Sequence, residues 1–146
     1  MTRTTITMDG GKELQAALRN MGPELQEVVG QIVEGTGLEL RGDIIKRYQS
    51  GPASGRVYQK YNPRRTHQAS APGQAPMSDT GRLANATVYK VVDDMTVEVS
   101  NDVFYAAWLE YGTTQIAPRP AWRPAVEEIM PMFRSRLETA IARFVK

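Results

Sequence analysis

Three prolines, Pro118, Pro120 and Pro124, stand within seven residues in the last quarter of the chain. Proline lacks the backbone N–H that a helix interior needs, so no helix can run through this stretch. One can begin only at its end, where the missing N–H would be unpaired in any case. Beyond it Val126, Ile129, Met130, Phe133, Leu137, Ile141 and Phe144 recur at spacings of three and four, the apolar stripe of a helix from about Trp122 to Phe144. Pro131 sits inside that stripe and predicts a kink. Upstream, Val103 to Tyr111 reads as a short helix with Tyr105, Trp108 and Leu109 on one side, closed by Gly112. The segment is therefore constrained to a short helix, a break, an extended loop and a long helix.

The N-terminal part has a similar logic. Thr2 to Met8 is rich in β-branched residues and reads as a strand. Asp9-Gly10-Gly11 breaks it, with Asp9 placed to cap a first helix carrying Leu14, Ala17, Leu18 and Met21. Gly22-Pro23 interrupts, and a long helix follows to about Gln49 on Leu25, Val28, Val29, Ile32, Val33, Leu40, Ile44, Ile45 and Tyr48. Gly35, Gly37 and Gly42 lie inside it, each costing about 1 kcal/mol against alanine. They predict either a bend or an element packed close. Asp79-Thr-Gly-Arg-Leu-Ala predicts a capped helical turn. Ala86 to Val92 and Met95 to Ser100 predict two strands joined by a turn at Asp93-Asp94, with Val97 and Val99 on a buried face. The expected architecture is α+β: a long N-terminal helix and a C-terminal helix packed on a small antiparallel sheet, in a single domain of 146 residues.

Residues 50–78 break that order. They hold Gly51-Pro52, Gly55, Pro63, Pro72-Gly73 and Pro76 and almost no aliphatic side chains. A connection of roughly thirty residues, against the usual ~4–6, predicts a protruding polar loop. Its charges are Arg56, Lys60, Arg64 and Arg65, with no acid before Asp79, and Tyr58 and Tyr61 lie among them. Cations with interleaved aromatics suit phosphate contact and base stacking, or a contact with a neighbouring subunit. Four phosphate contacts would give a salt slope of about −3.6, which is weak and non-specific. The net charge of +2 adds little to the case. No apolar run approaches the ~20 residues that cross a bilayer, and Met1 to Gly10 lacks the apolar centre of a signal peptide. A soluble protein made in a cytoplasm is expected, with no membrane partner.

Candidates for chemistry are few. The chain has no cysteine, which excludes disulfides, thiolate nucleophiles and cysteine-ligated zinc. His67, the only histidine, lies between Thr66 and Gln68 in the polar loop and reads as a surface residue. Asp93-Asp94 reads as turn chemistry. Glu127-Glu128 are neighbours that cannot face each other on a helix, and they suit its N-terminal dipole. Ser50, Ser54 and Ser78 have no nucleophile-elbow context, and Gly10-Gly11 and Gly35-Thr-Gly37 lack the lysine of a phosphate loop. No catalytic residue, metal site or cofactor is expected. Tyr105, Trp108, Tyr111, Arg119 and Trp122 are candidate core or interface anchors, because aromatics and arginine dominate binding hot spots. Trp108 is assigned to the core, and Trp122 to either place.

Ala71-Pro-Gly-Gln-Ala-Pro76, Asp79-Thr-Gly-Arg-Leu83, a hairpin, Tyr105-Ala-Ala-Trp-Leu-Glu-Tyr-Gly-Thr113 and Pro118-Arg-Pro-Ala-Trp-Arg-Pro-Ala125 follow one another in order. In that order and spacing the chain resembles the tail-completion or head–tail joining proteins of long-tailed bacteriophages, minor tail components of the family named after gene product ten of a lambdoid phage. The resemblance implies a virion structural protein, not an enzyme, assembled in the host bacterial cytoplasm. It implies a homo-oligomeric ring, usually of six copies, at the neck. Its partners would be tail terminator and tail tube proteins on one side and the head connector or stopper on the other, with viral DNA passing weakly bound through the lumen. Arg56, Lys60, Arg64 and Arg65 would then face DNA or the next subunit. A tail terminator or another ring component of neck or tail is the near alternative, and a non-specific nucleic-acid-binding protein the distant one.

Overall fold

Leu25, Val29, Val33, Leu40, Ile44 and Tyr48 recur at four- and seven-residue steps, and all six are buried along one face of helix α1 (Pro23–Gln49). Pro23 opens that helix, and Lys46 and Arg47 close it, with charge of the sign that suits a helix C-terminus. The computed structural model describes residues 4–9, 16, 17 and 19–144. The first helix expected around Leu14, Ala17, Leu18 and Met21, and the Gly10-Gly11 break before it, lie largely outside those residues.

The α+β architecture is as expected. Strands β1 (Thr4–Asp9), β4 (Thr87–Asp93) and β5 (Thr96–Asn101) form an antiparallel sheet in the order β1-β5-β4. Strands β2 (Val57–Tyr61) and β3 (Arg64–Gln68) form a separate hairpin. Helices α2 (Arg82–Asn85), α3 (Ala106–Tyr111) and α4 (Trp122–Phe144) complete the chain. α4 buries Trp122, Ala125, Ile129, Phe133 and Ala140 and continues through Pro131. It runs antiparallel to α1: Trp122 meets Tyr48, Glu128 meets Arg47, and Arg136 meets Thr36 and Glu39.

β5 is the central strand, which corrects the single buried face read from its alternation. Val97 and Val99 are buried, but so are Ser100 and Asn101. The reason is polar satisfaction. Asn101 Nδ2 donates to Leu83 O (2.7 Å) and to Thr87 Oγ1 (2.9 Å), while its Oδ1 accepts from the Val103 N–H (3.0 Å). The hairpin turn is shifted by one residue to Asp94-Met95, with a register irregularity between Val91 and Asp93. Asp93 is a strand end whose Oδ1 accepts from the Met95 N–H, and this bond holds the carboxyl below its usual range.

Residues 50–78 are not one structureless loop. The β2–β3 hairpin turns at Asn62-Pro63, and its ladder continues through Gly55 N to Ala69 O (2.7 Å) and Ala69 N to Arg56 O (3.0 Å). Gly51, Ala69, Ser70 and Pro76 at its roots are buried. The prolines and glycines that suggested a loop bracket two short strands.

The helix glycines answer the choice between a bend and a close neighbour. At Gly37 a Cβ would stand 2.5 Å from Val97 Cγ2 and 2.9 Å from Tyr89 Cε2, so the sheet packs against bare backbone. Gly35 and Gly42 face open space. Gly37→Ala should therefore destabilise by about 1–3 kcal/mol through overpacking. Gly35→Ala should stabilise by about 0.5–1 kcal/mol. Urea unfolding midpoints of the two variants, moving in opposite directions, test this packing.

Candidate functional site

Helix α4 begins directly after the proline run, so its first N–H groups have no partners within the helix. Glu110 supplies them. Its Oε2 accepts from the N–H of Ala121 (2.8 Å) and of Trp122 (3.0 Å), and its Oε1 from that of Arg123 (2.8 Å). The side chain is only 4% exposed. A buried carboxylate is tolerable because three donors and a helix N-terminus meet it. Sequence reasoning gave this task to Glu127 and Glu128, but both lie beyond the first turn, and Glu128 pairs with Arg47 at 2.7 Å. Glu110 was missed, although an acid one helix upstream of a proline-blocked N-terminus is a readable signal.

Trp122, for which core and interface were both open, lies in the core, and Trp108, assigned to the core, does not. Trp122 is 1% exposed, and its Nε1–H donates to the Tyr48 hydroxyl at 2.7 Å. Burial pushes the Tyr48 phenol far up, against the pull of that indole N–H. Trp108 is 46% exposed and is not a core residue. The core-facing positions of α3 are taken by Ala106 and Glu110, which turns Trp108 outward. It packs edge-on against Phe104, with ring centroids 5.4 Å apart, and Phe104 is edge-on to Tyr105 at 5.2 Å. Phe104 and Tyr111 are also exposed, and Tyr105 is half-buried. Four of the ring systems thus sit on or beside α3, three of them open to solvent.

The four loop cations do not act as a set. Lys60 Nζ hydrogen-bonds Asp79 Oδ2, and Arg65 Nη2 lies 2.9 Å from Asp79 Oδ1, off the hydrogen-bond direction. Arg65 Nη1 also donates to Asp79 O (3.3 Å). Arg56 stacks over the Tyr58 ring at 5.3 Å, and Arg64 is exposed. His67 is not a free surface residue: its Nδ1 stands 3.5 Å from Asp79 Oδ1, and both side chains are mostly covered. Asp79 does not cap α2. Ser78 Oγ instead accepts from the Gly81 N–H (2.9 Å) at a left-handed turn, and Asp79 ties the hairpin to the body. The Lys60 hydrogen bond holds the Asp79 carboxyl below its ordinary range, burial opposes this, and the Arg65 charge adds to it.

The separate motif segments converge. A cleft of about 310 Å³ is lined by Pro76 and Asp79 from one segment, Arg82 and Leu83 from α2, Tyr105 just before α3 and Leu109 within it, and Arg119 from the proline run. The Arg119 N–H donates to Leu109 O at 2.6 Å, and Gly73 N to Pro118 O at 2.8 Å, which fixes the proline run against both neighbours. Ser70, His67 and Asp79 share one wall of the cleft, the residue types of a nucleophile, a base and an orienting acid. The geometry does not serve that chemistry. Ser70 Oγ is buried and presents no surface to a substrate, and the carboxylate near His67 is already engaged by Lys60. Ser50 and Ser54 hydrogen-bond Lys46 O and Gln74 Oε1.

No family model, curated protein or solved structure matches the chain.

Two outcomes test this geometry. Glu110→Ala leaves three N–H groups, two of them buried, without an acceptor and should cost about 2–4 kcal/mol in chemical denaturation. For Asp79, a folded pKa below the unfolded one means its contribution is complete above the unfolded value and is lost as pH falls through the folded one. The hairpin should hold at neutral pH and loosen only below about pH 4. Amide protection factors in β2 and β3 measure this, and Asp79→Asn should show the loosened hairpin at every pH.

Proposed function

We propose that the chain is a virion structural protein of a long-tailed phage, a tail-completion subunit that forms a ring between tail terminator and head connector and works by assembly, not by catalysis. The observation that carries this is the outward aromatic strip of Phe104, just before α3, with Trp108 and Tyr111 on it, braced from behind by Glu110 and Trp122. Large exposed rings on a rigid support are the common anchors of protein interfaces. A strip made by one segment can seat on a different surface of the next copy, the head-to-tail contact that closes a ring. The order of motifs that resembles the head–tail joining family runs through this strip.

The charge pattern fits passage of DNA better than its capture. Lys60 and Arg65 are engaged by Asp79, so Arg56 and Arg64 remain as the exposed cations of the hairpin. Two phosphate contacts per copy give a salt slope of about −1.8, half of that for four. This weighs against a nucleic-acid-binding regulator, whose function needs retention.

The wild-type chain should form a closed ring of identical copies, alone or on isolated tails, in native mass spectrometry and electron microscopy. Trp108→Ala should abolish the ring yet change stability by no more than about 0.5 kcal/mol, because the ring system is at the surface. A wild-type chain that stays monomeric in the presence of tails and connectors would sink the proposal.

A further inference from the structure

We propose that the tip of the β2–β3 hairpin seats in an apolar, acid-rimmed groove at the far end of a second copy of the chain. The inference rests on the ring reading above and names the surface against which the hairpin closes. Lys60, Arg65 and His67 turn one face of the hairpin to Asp79. Val57, Tyr61, Arg64 and Thr66 lie on the opposite face and are exposed. A two-stranded hairpin is marginal in water unless a face is packed, so this open face gains from a partner. Tyr61 at the tip is 79% exposed, more than any other large apolar side chain among the described residues, and Arg64 is its cross-strand neighbour. The nearby acid, Asp79, is taken by Lys60 and Arg65, which leaves Arg64 without a carboxylate among the described residues.

The groove, about 400 Å³, lies between the first half of α1 and the β4–β5 turn. Val33, Val91 and Val97 line it with apolar surface, and Glu27, Glu34 and Asp94 stand exposed at its rim. A Cβ on Gly30 would stand 2.6 Å from Asp94 O, so turn and helix meet backbone to backbone and the groove has a fixed wall. Asp93 is met by the Met95 N–H and by the charge of Arg19, but no cation pairs with the three rim acids among the described residues. Such a groove takes an apolar group that carries a cation, which is what Tyr61 beside Arg64 presents, and its rim repels phosphate. One copy cannot fill its own groove. Asp79, beside the Ser78 N–H that donates to Tyr48 O, holds the hairpin at the C-terminal end of α1. The rise from Gly30 to Tyr48 is about 27 Å, and strands of this length span only about 17 Å. Complementary surfaces at opposite ends of one chain make a head-to-tail contact, the kind that closes a ring.

The test is charge reversal and rescue in the full chain, with association of copies read by native mass spectrometry and sedimentation. Arg64→Glu on the tip, and Glu27→Lys with Glu34→Lys on the rim, should each weaken association by about tenfold or more. All three reversals in one chain should restore it to within about threefold of wild type, because the pairing is remade with its signs exchanged. All these positions are exposed, so urea midpoints should stay near wild type. Tyr61→Ala, which changes no charge, should also weaken association, and serves if the reversed chains do not fold. Reversed chains that associate as wild type does overturn this contact and leave the ring standing. Reversals that weaken association without mutual rescue overturn it as well. Arg64→Glu that loses DNA retention and keeps association assigns the tip to DNA and overturns the contact. A wild-type chain that stays monomeric beside tails and connectors removes the ring reading, and this contact with it.

Discussion

The interaction on which the C-terminal half depends is the Glu110 carboxylate against the entrance of α4. Three N–H groups find no acceptor within their own helix, and one buried side chain accepts from all of them. This fixes α3 to α4 across the proline run and sets the direction of every side chain on α3. The turn between them has no slack. Gly112 has a φ of 77°, and a Cβ there would stand 2.9 Å from both Ile116 O and Pro118 Cδ, so glycine is required by angle and by space. Prolines prevent the loop from winding up, and Glu110 gives the freed backbone groups an acceptor.

The same economy of polar groups runs through the core. Tyr48 and Trp122 place a hydroxyl and an indole N–H in contact inside an apolar helix pair. Asn101 satisfies backbone and side-chain groups at the end of β5. Each of these buried polar groups would be costly in any other register, so they select one packing of α1, α4 and the sheet. Hydrophobic stripes alone allow several rotations of two long helices, and a paired Tyr–Trp contact allows one.

The parts legible in the sequence were those governed by periodicity. The bounds of α4, the length of α1 and the paired strands β4 and β5 all follow from apolar spacing and from proline at known positions. The β2–β3 hairpin was hidden because its strands carry Arg, Lys, Gln and Thr in place of aliphatic residues and pack no core of their own. Trp108 was misplaced for a related reason. On a helix of six residues the stripe is too short to give a phase, and the buried slot went to Glu110, which hydrophobicity would place outside. The cleft was illegible as a cleft, since its walls come from four segments, yet the individual motifs that line it were all visible.

Asp79 changes what the basic segment can do. Read along the chain, Arg56, Lys60, Arg64 and Arg65 form a cationic stretch without an acid. In space, one carboxylate draws two of them, with His67, onto the body of the fold. The charge works as a tether for the hairpin before it can work as a surface for phosphate. Past β5, the surfaces left to do work are the two sides of α3. Trp108 stands on the open side with Phe104, and Leu109, the next residue, lines the Arg119 cleft with Tyr105. One short helix, held by one buried acid, sets which rings face solvent and which side chains line the cleft.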